Sequence, residues 1–144
     1  MPLEENKALL RRFAEEALNR GNLEAIDEFM PPEFVEHEPL PVPGTGREAV
    51  KQFFAQMRSG LPDLQMTIED LIAEGDRVVA RFVVQGTHQG HFLGIPPTGK
   101  RAGFTGIDIV RIAGGRIVEH WGNTDTLGFL QQLGAIPAPE QASA

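Results

Sequence analysis

Residues 101–125, RAGFTGIDIVRIAGGRIVEHWGNTD, leave the chain few ways to fold. Two β-patterned runs flank Gly114-Gly115, a dipeptide that tolerates positive φ at both turn positions, so the stretch predicts a β-hairpin. In its first strand Phe104, Gly106, Asp108, Val110 and Ile112 share one face; Thr105, Ile107, Ile109 and Arg111 share the other. Apolar residues on both faces predict a central strand covered on both sides. Asp108, within GIDIVRI, is costly to bury alone. It is either paired, with Arg81 or Arg101 as structural partners, or exposed near a sheet edge, or kept as a working acid or base.

Register decides what Asp108 meets. A plain two-residue turn pairs Ala113 with Arg116 and Ile109 with His120, which puts Asp108 on the face of Trp121. A bulge shifts the pairing by one residue and brings Asp108 and His120 together. Both alternatives are open at this point.

The N-terminal part is helical in pattern. Leu3, Leu10, Phe13, Ala14, Ala17 and Leu18 recur at helical spacing over residues 3–20, and Gly21 fits a C-cap. Asn22 can cap a second helix over residues 23–30, which Pro31-Pro32 ends. A short extended piece, EFVEHEPL, offers Phe34, Val35 and His37 to the interior. A proline-rich loop leads to a third helix over residues 47–60, with Ala49, Val50, Phe53, Phe54 and Met57 as its apolar stripe. From Leu64 to His88 two strands meet at Glu74-Gly75-Asp76, and Arg81 in the second either faces solvent or enters a cavity to meet an anion. After Asp125, Leu127, Phe129, Leu130 and Leu133 mark a last helix.

Helices followed by hairpins predict an α+β fold: a curved antiparallel sheet packed on three N-terminal helices, forming a cone whose mouth takes a small apolar molecule. We expect one domain over residues 1–136 and a flexible tail over 137–144. Helices cover only one face of such a sheet, so apolar residues on both faces predict a homodimer.

Composition removes several functions. Net charge is −7, and the only basic clusters are Arg11-Arg12 and Lys100-Arg101, which argues against nucleic acid. No apolar run approaches the roughly 20 residues that span a bilayer. The acidic, amphipathic N-terminus lacks the features of a secretory signal, which favours the cytoplasm. Cys and Tyr are both 0, so neither a thiolate nor a phenol takes part in the chemistry. The serines, at 59 and 143, have no nucleophile-elbow context. His88 and His91 lack a third ligand at diagnostic spacing, and there is no glycine-rich phosphate loop. No metal and no cofactor is expected.

Several short motifs occur in a familiar order: His37-Glu38-Pro39, Leu61-Pro62-Asp63, Gly86-Thr87-His88, GIPPTGK at 94–100, Gly106-Ile107-Asp108, Glu119-His120-Trp121 with Asp125, and Gln132-Leu133-Gly134. In this the chain resembles SnoaL-like proteins, the polyketide or ester cyclases of the NTF2-like superfamily, over about residues 4–137. The resemblance implies the α+β cone, a deep pocket, a homodimer through sheet surfaces, and cofactor-free intramolecular aldol condensation by an acid/base pair. In the implied alignment the cyclases' pocket His falls at Asp108, their acid/base Asp at Gly122, and a pocket Asn at His37. The constellation is thus not repeated residue by residue. We therefore expect Asp108, His120 and His37 to carry acid/base chemistry. Phe53, Met57, Phe104 and Trp121 would wall the pocket, with Arg81, His88 and Asp125 as further substrate contacts. The alternative on the same fold is a non-catalytic binding or dimeric accessory protein.

Overall fold

Helix α1 (Pro2–Phe13) widens into a π-helical stretch, Ala14–Asn19, and is followed by α2 (Ala25–Phe29), β1 (Val35–Glu36) and α3 (Gly46–Gly60). Then come β2 (Gln65–Glu74), β3 (Arg77–Thr87), β4 (Arg101–Ala113), β5 (Arg116–Thr124) and α4 (Thr126–Leu133). This computed structural model describes residues 2–137; past Pro137 the expected tail lies outside the described residues. The sheet order is β1-β5-β4-β3-β2, antiparallel except for β1, which runs parallel to β5. The fold is the α+β cone, with the helices on the inner face of a curved sheet.

Local sequence explains most of these boundaries. Gly21 adopts φ +71° where the first helix ends. Asn22 does not cap α2 with its side chain; its carbonyl accepts from the Ala25 N–H, and Glu24 occupies the N-cap position. Gly114 and Gly115 take φ +58° and +73°, the signature of a two-residue hairpin turn.

Immediately beyond this turn the strands slip. Ile112 faces Ile117, but Arg111 faces Glu119, so Val118 is the extra residue of a bulge. From there on Val110 faces His120 and Asp108 faces Gly122, and the Asp108 and His120 side chains share the inner face.

Two apolar clusters fill the inner face. One gathers Ile26, Phe29, Val78 and Ile117 under α1 and α2. The other centres on Phe129 of α4, which meets Phe92 and Phe104 edge-to-face at 5.7 and 5.6 Å. The outer face is left uncovered by the chain itself: Ile107 is 52% exposed and Ile72 63%. Cover on both sides of β4, read from its composition, therefore does not come from this chain's own helices.

Candidate active site

Strand β1 alternates. Phe34 before it is buried, Val35 points outward, Glu36 points in, and His37 points out again. Parallel pairing sets Glu36 beside His120 of β5, and the His37 N–H donates to the His120 carbonyl at 2.9 Å. Glu38 then turns back over the inner face, where its Oε2 accepts from the Thr124 hydroxyl at 3.1 Å.

His120 is the hub. Its Nε2 lies 2.8 Å from Asp108 Oδ1, and its Nδ1 meets Glu36 Oε2. All three side chains are largely buried. A carboxylate at each ring nitrogen makes both nitrogens donors, so the ring is an imidazolium. Burial alone would lower the His120 pKa. The hydrogen bonds to Asp108 and Glu36, with their charges, outweigh it and push the value up to about 10.

Glu38 stands apart. Burial raises its carboxyl above the usual glutamate range; the His120 charge opposes this, Asp108 adds to it, and the Thr124 hydroxyl opposes it more weakly. Beneath these groups lies Gly122. A Cβ there would come within 2.6 Å of Asp108 Oδ1, 2.7 Å of Glu38 Oε1 and 3.0 Å of His120 Cε1. The carboxylate tips occupy the space that any other residue at 122 would need.

The cluster opens onto a cavity of about 100 Å³ between the two apolar clusters. Phe13, Phe53, Phe54, Met57, Phe82 and Phe104 supply much of its wall, and Glu36, Glu38, Asp108, His120 and Thr124 supply its polar side chains. An apolar chamber with a few convergent polar groups is the usual form of a small-molecule site.

The structure thus brings Asp108, His120, Phe53, Met57 and Phe104 together. The other residues singled out in the sequence lie elsewhere. His37 and Trp121 are on the outer face, stacked at 4.7 Å and 4°. His37 Nε2 there lies 2.8 Å from Glu119 Oε2. Arg81, also outside, binds Asp70 at 2.7 Å and Glu69 at 3.2 Å, and Arg101 is 3.6 Å from Asp63, so neither arginine is the partner of Asp108. His88 is fully buried and holds its loop by accepting from the Thr98 N–H at Nδ1. Asp125 caps α4 by accepting from the Gly128 N–H at 2.9 Å.

Glu36 and Glu38 were not singled out, although strand parity marks them. If Phe34 is core, alternation puts Glu36 and Glu38 on its side of the strand and His37 on the other.

Glu38, Asp108 and His120 each offer a ligand atom within 4.8 Å of the others. As arranged, both His120 nitrogens are spent on carboxylates, so the imidazolium has no lone pair for a metal. The donor set fits proton transfer better than metal binding.

Residues 8–133 match the profile of the family described as SnoaL-like polyketide cyclase. The nogalonic acid methyl ester cyclase of Streptomyces nogalater is 32% identical over 120 residues, 82% of this chain and 90% of that protein. The aklanonic acid methyl ester cyclase DnrD of Streptomyces peucetius is 31% identical over 140 residues, 92% and 93% of the two chains. Among solved structures, TsrD from Streptomyces laurentii superposes with a TM-score of 0.83 at 34% identity, over 92% of this chain and 97% of that one.

Proposed function

The chain belongs to the SnoaL-like polyketide cyclase family, and we propose that it closes a carbon ring on an apolar, carbonyl-bearing substrate by cofactor-free aldol chemistry. The observation that carries this reading is the Asp108–His120–Glu36 chain on the wall of an apolar cavity. A carbon acid α to a carbonyl needs a base that stays charged where water is scarce. The imidazolium stands between Asp108 and Glu36, one carboxylate at each ring nitrogen, and leaves Asp108 Oδ2 without a hydrogen bond from His120. His120 also orients the Asp108 carboxylate toward the bound substrate. A positioned acid or base of this kind contributes roughly 10²–10⁴-fold.

The test uses the two esters named for the relatives, nogalonic acid methyl ester and aklanonic acid methyl ester. Ring closure is an isomerisation, so it is followed by chromatography and NMR rather than mass. Asp108→Asn lowers kcat by about 100-fold or more with little change in ligand affinity. Turnover by Asp108→Asn at the wild-type rate would sink the assignment. Binding without turnover in the wild type would favour a carrier on this fold.

The exposed outer face supports a homodimer. Ile107, Ile72 and Val35 are exposed there, Ile107 in a shallow hollow with Trp121, and a second copy is the partner whose matching apolar surface would cover them. Among the described residues no helix is long and apolar enough to cross a membrane.

A further inference from the structure

We propose that Glu38 is the catalytic acid of this cavity, entering the cycle protonated and giving its proton to the carbonyl oxygen that ring closure converts into an alcohol. This rests on the ring-closing reading above and assigns the group that reading leaves open.

Three carboxyl groups, Glu36, Glu38 and Asp108, surround one cation. Both N–H groups of His120 are taken, one by Asp108 and one by Glu36. Glu38 receives only a neutral hydroxyl, from Thr124 to Oε2, and no described residue donates to its Oε1. That oxygen and Asp108 Oδ1 converge on the same space above Gly122, 2.7 and 2.6 Å from where a Cβ would stand. Burial, and with it the Asp108 charge, raises the Glu38 carboxyl above the usual glutamate range. The cation is bonded to Asp108 and not to Glu38, so Glu38 is the carboxyl here that is placed to carry a proton.

The groups facing Glu38 agree. β1 presents Glu36, β4 presents Asp108, and β5 presents His120 and Thr124. From α3 comes Phe53, which adds no charge. Burial favours the neutral acid as well.

Elimination leads to the same atom. The chain has no tyrosine, so no phenol can serve the developing alkoxide. The His120 donors are spent and the Thr124 hydroxyl is committed to Glu38. Glu38 also lines the outer hollow between Pro39, Pro41, Phe92 and Leu93, as well as the inner chamber. Glu38 is therefore shared by the two hollows.

The step balances. Asp108 takes the α-proton, and the C–H pair becomes the enolate. The enolate carbon bonds to the acceptor carbonyl carbon, the C=O π pair moves to oxygen, and that oxygen takes the Glu38 proton. Asp108 is left protonated and Glu38 ionised. Their ligand atoms are within 4.8 Å of one another, so the proton returns through one bridging water, and nothing is consumed.

The experiment separates proton removal from ring closure, with the two methyl esters as probes. In D₂O, wild type exchanges the α-proton and cyclises, and Asp108→Asn does neither. Glu38→Gln, which keeps shape and the Thr124 contact, lowers cyclisation by roughly 100-fold or more while α-exchange stays within severalfold of wild type. Glu38→Asp, a shorter acid, recovers part of the loss. In parallel, ¹³C NMR of the glutamate carboxyls, with Glu38 assigned by its absence in Glu38→Gln, shows Glu38 titrating above an ordinary glutamate. Cyclisation by Glu38→Gln at the wild-type rate overturns the proposal. Loss of α-exchange as complete as in Asp108→Asn also overturns it, because Glu38 then belongs to the base. If the wild type neither exchanges nor cyclises, the ring-closing reading fails, and the titration alone decides on Glu38. A carboxyl already ionised at the ordinary glutamate value refutes it as the proton holder, and a raised one upholds that.

Discussion

Raising the pH should destabilise this protein through one side chain. His120 titrates near 6.5 when unfolded and is pushed up to about 10 when folded. Its folded value lies above its unfolded one, so its contribution is complete below about pH 6.5 and is lost as pH climbs toward about 10. The gap is about 3.5 pH units at about 1.4 kcal/mol each, which sets an upper bound of about 5 kcal/mol. Removing the ring has a matching effect. His120→Gln leaves Asp108 and Glu36 buried without their cation, which costs about 3–5 kcal/mol at neutral pH. The assay is urea unfolding followed by fluorescence of Trp121, the only tryptophan, for both proteins at fixed concentration. The difference between the two cancels titrations they share, and neither a cysteine nor a tyrosine ionises in this window. The difference should be largest near pH 6.5 and should shrink steadily toward about pH 10. A difference that stays flat across that window would refute the imidazolium and the charge arrangement built on it.

Two further outcomes follow from the packing. Gly122→Ala places a methyl within 2.7 Å of the Asp108 and Glu38 carboxylate tips. Those tips can swing aside, so stability should fall by less than about 1 kcal/mol, while displaced catalytic groups lower kcat by at least about tenfold; unfolding and ring-closure rates measured on the same sample check both. Ile107→Lys puts a charge at the exposed centre of the outer face, and light scattering at about micromolar concentration should show the mass fall to that of one chain, whereas a monomeric wild type removes the homodimer.

How much of this was legible in the sequence depended on register. The Gly114-Gly115 turn and both hairpin strands are readable from composition and alternation. The bulge at Val118 is not, because the energy that selects it lies across the sheet. An unbulged register would point Glu119 into the apolar interior and His120 outward. The slip turns Glu119 out to Arg111, 2.6 Å away, and to His37, and turns His120 in between two carboxylates. Six charged or titratable groups find partners through one extra residue, which offsets the disrupted ladder. Pairwise gains of this kind are invisible to the pattern of either strand alone.

The same logic applies to the acid that the sequence lacks at 122. By the resemblance to the cyclases, an acid/base Asp belongs there, and this chain has glycine. Read position by position, that loss weakens the case for chemistry. In space it does not, because a carboxyl from the segment just after β1 enters the volume that a side chain at 122 would fill, and it does so only because 122 has no Cβ. Proton transfer requires a group at a point in the cavity, and it is indifferent to which strand delivers it. Gly122 and Glu38 are therefore best treated as one functional unit: the glycine opens the space and the glutamate supplies the proton. Strand parity, starting from buried Phe34, was enough to point Glu38 into that space; the register across β4 and β5 was needed to show that the space was empty.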